Sequence, residues 1–377
     1  MHAGVLIGGE HPESAGIQSV PREQTNRFRC CRPSVLGLTD DVKDLDDCFR
    51  TLREPGSPVP GDLFTHDALS RHNASGTTLL HVAAKHGRLS EFPANLLIES
   101  RLVRPNDAGY TPLHHAALSG NLPQVPSMFL TDLNLRLRSN SGFTVFHCAA
   151  ASGFLDQIPS PSLTADALLL RNDLGETLLH VAAEHGTLDR LPPGSLTPSS
   201  VKERTISGET VLHVAAMNGN LTQIPPDLID SEAILLRTGA GDTVIHAAAI
   251  AGHLAGVPQP FLTEANLSLR SKSGFTAIHA AAETGQLRHI PSDQLTAALI
   301  LTRNDHGDTA LHAAAHEGHL DQLPSSLLTA ESMNLRNYDG VTPLRTAIER
   351  GFQSQVPSAL LPSRLDAVKR ALGRLRF

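Results

Sequence analysis

The sequence has no tryptophan and only two tyrosines, and aromatic residues make up 4% of its 377 positions. A large globular enzyme core uses more. Whatever packs here must do so through small and aliphatic side chains. There is no basic surplus: the net charge is −7, which argues against a general nucleic-acid binder. No run of 18 apolar residues occurs, so no membrane-spanning helix is expected. The stretch from Met1 to Ser14 has neither the basic start nor the apolar run of a secretory signal, and the expected location is cytoplasmic. The four cysteines, Cys30, Cys31, Cys48 and Cys148, have no zinc-ligand spacing and read as free thiols in a reducing compartment. The phosphate-loop, serine-hydrolase and zinc-protease motifs are all missing. No catalytic residue, cofactor or metal is expected, and the chain reads as a non-enzyme.

What the sequence has instead is one motif copied many times. The string G-x-T-x-L-H-x-A-A-x-x-G recurs with little change, its first glycine at 76, 109, 142, 175, 208, 241, 274, 307 and 340, always 33 residues apart. In the copy from Gly307 to Gly318, Thr309 is a natural helix N-cap, Leu311, Ala314 and Ala315 share one helical face, and Gly318 ends the helix. Leu320, Leu323, Leu327 and Leu328 then form a second apolar face, and Asn337-Tyr338-Asp339-Gly340 has turn chemistry. Each unit is therefore a helix, a short turn, a second helical segment and an extended finger. A unit of this size buries its apolar face only by stacking on its neighbours.

A 33-residue period with a T-P-L-H-x-A core, complete at Thr111-Pro112-Leu113-His114-His115-Ala116, resembles the ankyrin-repeat family. The resemblance implies an all-α solenoid. It also implies a structural role for His81, His114, His147, His180, His213, His246, His279 and His312, each tying a finger to its neighbour by hydrogen bonds. The arginine four places before each glycine, from Arg138 to Arg336, fits the family's finger. One feature departs from the family. Pro93, Pro126, Pro159, Pro192, Pro225, Pro258, Pro291, Pro324 and Pro357 interrupt the second helix of every copy. Proline is excluded from a helix interior but suits its first position, so the second helix is expected to split, or to start late at this residue.

The register predicts nine full repeats over 76–361, preceded by a degenerate capping repeat over 41–75. There Val42, Leu45, Phe49 and Leu52 share the inward face of an amphipathic helix. Residues 1–40 lack periodicity and are expected to be disordered. Residues 362–377, carrying Arg364, Lys369, Arg370, Arg374 and Arg376, read as a basic C-terminal capping helix. Against an end cap stands a second reading of that helix, as a contact for a membrane surface or nucleic acid.

Candidate function lies where the repeat leaves residues free. In ankyrin-like geometry two positions line the concave side: the finger residue just after the glycine and the outer face near the end of the first helix. The first set includes Tyr110, Phe143, Glu176, Glu209, Asp242 and Phe275, and the second Leu118, Glu184, Met217 and Ile250. Together they predict an apolar strip with carboxylates at its centre, suited to an apolar and basic segment of a partner protein or peptide. The expected function is a monomeric interaction scaffold, with an adaptor, an enzyme inhibitor, a toxin-neutralising protein and a delivered effector all compatible with it. His312, His316 and His319, at i, i+4 and i+7, are the densest histidine group and the one spacing that invites a metal.

Overall fold

The computed structural model describes residues 40–54, 56 and 58–361, with side chains from residue 45. Two compact units are distinguished, Met1–Lys43 and Asp44–Phe377. Of the first, only helical backbone from residue 40 is described. The expectations for residues 1–39 and for the basic segment 362–377 lie outside the described residues. Everything that follows concerns the second unit.

That unit is all-helical. Among the described residues the only β pairing is a single isolated bridge per finger in five fingers, such as Arg138 with Thr144. The first helix of each repeat is seven or eight residues long, running from Leu79–Lys85 and Pro112–Leu118 to Ala310–Glu317 and Pro343–Glu349. A threonine stands at every N-cap, in extended conformation, and each of these helices packs on the next. The contact layer is alanine-rich: Ala83, Ala84, Ala116, Ala117, Ala149 and Ala150 have no exposed surface. Side chains without a γ-carbon let neighbouring backbones approach closely, which explains how a stack forms with so few aromatics. At Gly120 (φ +71°) an added Cβ would lie 2.7 Å from the Phe154 ring of the next repeat, so both backbone sign and space require glycine.

The second half of each repeat differs from a helix that begins at the proline. A 3₁₀ turn such as Leu122–Gln124 follows the first helix, then an extended residue, Val125 (ψ 131°), then Pro126 (ψ 127°), then a second 3₁₀ turn, Ser127–Phe129. In seven of the nine repeats the proline is thus the N-cap of a 3₁₀ turn, after Pro192 and Pro291 the chain makes a plain turn, and nowhere is the proline the first residue of an α-helix: the second helix is split. The reason is steric: the residue before a proline is driven out of the α region, and the four residues left on either side can close only one tight turn. A single α-turn follows in most repeats, as in Asp132–Leu135, where the Thr131 hydroxyl accepts from the Asn134 N–H.

These short turns are held by side chains from the next repeat. Gln124, Gln157, Gln223 and Gln355 donate to the carbonyls of Gly87, Gly120, Gly186 and Gly318, 37 residues earlier, at 2.7–2.9 Å. Asn121 and Asn220 reach back equally far to cap the helix-end carbonyls of Ala84 and Ala183, both at 2.9 Å. The same offset links the helix Asp40–Arg53 to the first full repeat. Arg88, 5% exposed, donates to the carbonyl of Thr51 at 2.6 Å while its other nitrogens hold Glu91 at 2.7 and 2.8 Å. Leu45, Phe49 and Leu52 of that helix are buried.

Candidate functional site

The fingers are built on a histidine link. In each of seven repeats the N–H of the N-cap threonine donates to histidine Nδ1, as in Thr111 to His114 at 3.1 Å. Nδ1 is therefore the unprotonated nitrogen, and Nε2–H points at the next finger. It donates to the carbonyl of the residue after the next glycine: His81 to Tyr110, His114 to Phe143, His180 to Glu209, His213 to Asp242, His279 to Asp308 and His312 to Val341, at 2.9–3.3 Å. His147 and His246 face the corresponding carbonyls of Glu176 and Phe275 in looser geometry. Burial outweighs these bonds and lowers the imidazole pKa to about 4 at His81, His114, His147, His180, His213 and His279. His246 and His312 shift the same way, again mainly through burial.

The arginines form a second link. Arg138, Arg171, Arg204 and Arg237 each donate to the carbonyl of the next arginine in the register at 2.6–2.7 Å. Arg138 also pairs with Asp173 at 2.8 Å and Arg171 with Glu203 at 2.5 Å. A third link is pure backbone. The N–H two places before one finger's glycine donates to the carbonyl one place before the previous finger's glycine: Asp173 to Ser141, Ile206 to Leu174, Gly239 to Ser207.

With those groups engaged, the ten residues expected to meet a partner share one property: all are half-buried. Tyr110, Phe143 and Phe275 are not projecting tips. Their rings lie on the histidine of their own repeat, with centroids 5.5, 5.7 and 5.3 Å from His114, His147 and His279. The cause is the hairpin itself: the residue after the glycine turns back toward the helix it precedes, while the two before the glycine point outward. Leu118, Met217 and Ile250 pack against the core and keep part of their surface open, and Glu184 lies on the same helix position. Glu176 accepts from Asn172 at 2.7 Å and Glu209 from Ser207 at 2.8 Å.

The sequence reading passed over Leu174 and Ile206, which are exposed, as are Ile98, Met128, Leu133, Leu169 and Tyr338 elsewhere on the described surface. Leu174 is 43% and Ile206 79% exposed, at the outward positions of adjacent fingers, where other repeats carry Asp, Asn, Ser, Ala, Gly, Lys or His, and where the last finger carries Tyr338, 74% exposed. That contrast was the available signal. A second unforeseen feature is His115, at a position held by Val, Cys, Ala or Thr in the other repeats. Its ring packs edge-on to His81 at 5.6 Å and its buried Nε2 has no hydrogen-bond partner. Of the other histidine group, His312 is engaged as above, His316 contacts Glu317 and Arg350, and His319 meets the carbonyl of Ala282 at 3.0 Å. Among the described residues no cluster of three His, Cys, Asp or Glu side chains has metal-holding geometry, and no helix is long and apolar enough to cross a membrane.

A comparison with curated proteins finds no match. A family profile for ankyrin repeats matches three copies over residues 47–129, and the single ankyrin-repeat profile matches residues 306–338. These stretches lie toward opposite ends of one uninterrupted 33-residue register, and the chain is an ankyrin-repeat protein, built from a module that generally mediates protein–protein interaction.

Proposed function

We propose that the chain is a non-catalytic scaffold that holds a partner protein or peptide against the face formed by its fingers and the outer ends of its first helices. One observation carries this reading. Buried positions repeat the same Thr, His and Ala from copy to copy, whereas the half-buried positions on this face change chemistry along the array. Tyr110, Leu118 and Phe143 make an apolar stretch at one end. Glu176, Glu184, Glu209 and Asp242 make an acidic centre, and Met217, Ile250 and Phe275 continue the apolar character. A fold needs constant residues to stack, and it does not need this variation. Partly open apolar side chains beside carboxylates suit a segment that brings apolar groups together with Lys or Arg. The unit would act as a monomer, with residues 41–75 as a degenerate capping repeat at one end of the array.

The test is affinity capture with the intact chain beside a Leu118→Ser/Met217→Ser/Ile250→Ser variant shown by circular dichroism to be folded. A protein retained by the first and lost by the second is the expected result. A partner held equally by both would remove the face from the reading.

A further inference from the structure

We propose that the array is built as three blocks of three repeats and opens between blocks, first at the joint of the sixth and seventh repeats. Repeats are counted from the one that starts at Gly76. Three features depart from the common pattern, and they coincide at two of the joints between full repeats, three units apart. The first is the histidine link. His147 of the third repeat and His246 of the sixth face the next finger's carbonyl in looser geometry, whereas the other six donate at 2.9–3.3 Å. The second is the glutamine that donates 37 residues back. Its place is taken by Arg190 in the fourth repeat and His289 in the seventh, so neither the Gly153 nor the Gly252 carbonyl receives the amide donor of its counterparts. The third is the turn after the proline, which is 3₁₀ except after Pro192 in the fourth repeat and Pro291 in the seventh. The joint of the fifth and sixth repeats shares only one of these changes. Gly256 takes the glutamine's place there, but His213 keeps its bond to Asp242 at 3.2 Å and a 3₁₀ turn follows Pro258.

Both joints are closed in the structure, because the alanine layer runs through them: Ala149, Ala182, Ala248 and Ala281 have no exposed surface. Opening is therefore a fluctuation. In a stack with nearest-neighbour contacts, stability is a sum over units and joints, and opening concentrates where bonds and packing are fewest. Two observations rank the pair. The joint of the third and fourth repeats carries the Arg138–Asp173 ion pair at 2.8 Å. Three repeats on, the same two register positions hold Arg237 and Lys272, so like charges stand where an attraction stood. Both pairs are exposed and the effect is small, but its sign differs. A cavity of about 240 Å³ also lies between Leu254, Val257 and Leu262 of the sixth repeat and His289 and Ile290 of the seventh. Atoms lining such a void forgo contacts that a filled interface would make. Repeats seven to nine thus part from the rest while the bonds within each block stay whole. The inference holds whatever the array binds.

The test is amide hydrogen exchange of the intact chain at neutral pH, read by NMR and corrected for intrinsic rates. The probes are the ladder N–H groups that cross single joints: Asn140 between the second and third repeats, Asp173 between the third and fourth, Ile206 between the fourth and fifth, and Lys272 between the sixth and seventh. Protection at Lys272 should be the lowest, about tenfold or more below that at Asn140 and Ile206, with Asp173 between. A His289→Gln variant puts the amide donor back opposite Gly252. It should raise protection at Lys272 about fivefold and leave Asn140 unchanged. Equal protection at the four probes, or the lowest at Asn140 or Ile206, would overturn the block reading. Lower protection at Asp173 than at Lys272 would overturn the order of opening. A His289→Gln variant with Lys272 unchanged would overturn the assignment of the weak joint to its missing bridge.

Discussion

Acid should dismantle this array well above the pH at which carboxylates protonate. Six repeat histidines are held neutral by burial, with pKa near 4 against an ordinary value of 6.5. A lowered folded-state value means that the unfolded chain binds more protons at every pH between the two. Stability is therefore constant above about 6.5, falls as pH drops through the window, and levels off for these groups below about 4. At pH 5 a histidine freed by unfolding is almost fully protonated and a folded one about one-tenth protonated. Each then contributes a loss of about 2 kcal/mol relative to neutral pH, given the shift to about 4. A whole domain is typically stable by only about 5–15 kcal/mol, so a few such terms are decisive. The losses fall on consecutive repeats, each joined to the next through the bond that its imidazole makes. The assay is urea denaturation followed by far-UV circular dichroism from pH 8 to 4. A midpoint that declines steadily below about pH 6.5 is expected. A midpoint flat between pH 7 and 5 would refute the assignment of neutral, buried imidazoles.

Three substitutions probe the contacts between repeats. Gly120→Ala forces a side chain into a positive-φ site already filled by the Phe154 ring and should cost about 2 kcal/mol or more, read from the urea midpoint. Arg88→Ala removes the donor to Thr51 and the partner of Glu91 and should cost about 2 kcal/mol. Its effect should appear as faster amide exchange in the helix Asp40–Arg53, with distant repeats unchanged. Gln223→Leu strips the Gly186 carbonyl and the Leu188 N–H of their partner together, with an expected loss of about 1–3 kcal/mol; an unchanged midpoint would show that water replaces the amide.

The helices and fingers were legible because their requirements are local. A threonine before Leu-His-x-Ala-Ala, and a glycine where the chain needs positive φ, state the structure within a dozen residues. Proline likewise announced where the second helix breaks, since its steric rule concerns only its own neighbours. The conformation on either side was not legible, because a four-residue stretch reads alike as a cut helix or as a 3₁₀ turn. The reach of Gln124 or Arg88 across 37 residues was hidden for another reason. Their acceptors are main-chain carbonyls, which leave no mark in the side-chain pattern. At the candidate site the reading took Tyr110 and Phe143 for projecting tips, whereas their rings lie half-buried on His114 and His147, and it passed over Leu174 and Ile206, which face solvent.

The bonds between repeats described above share an arithmetic. Histidine reaches 29 residues ahead, arginine 33, and glutamine and asparagine 37 back. No such contact skips a unit, so each joint depends only on the two repeats it connects. Excising any interior block of 33 residues, or duplicating one, would rejoin every donor to an acceptor of the kind it already uses. Length is thus free to change in whole steps without the invention of a new contact, while an insertion of any other size would throw three ladders out of step at once. For a protein whose open positions differ from copy to copy, that makes the number and order of repeats as much a variable as the residues they display.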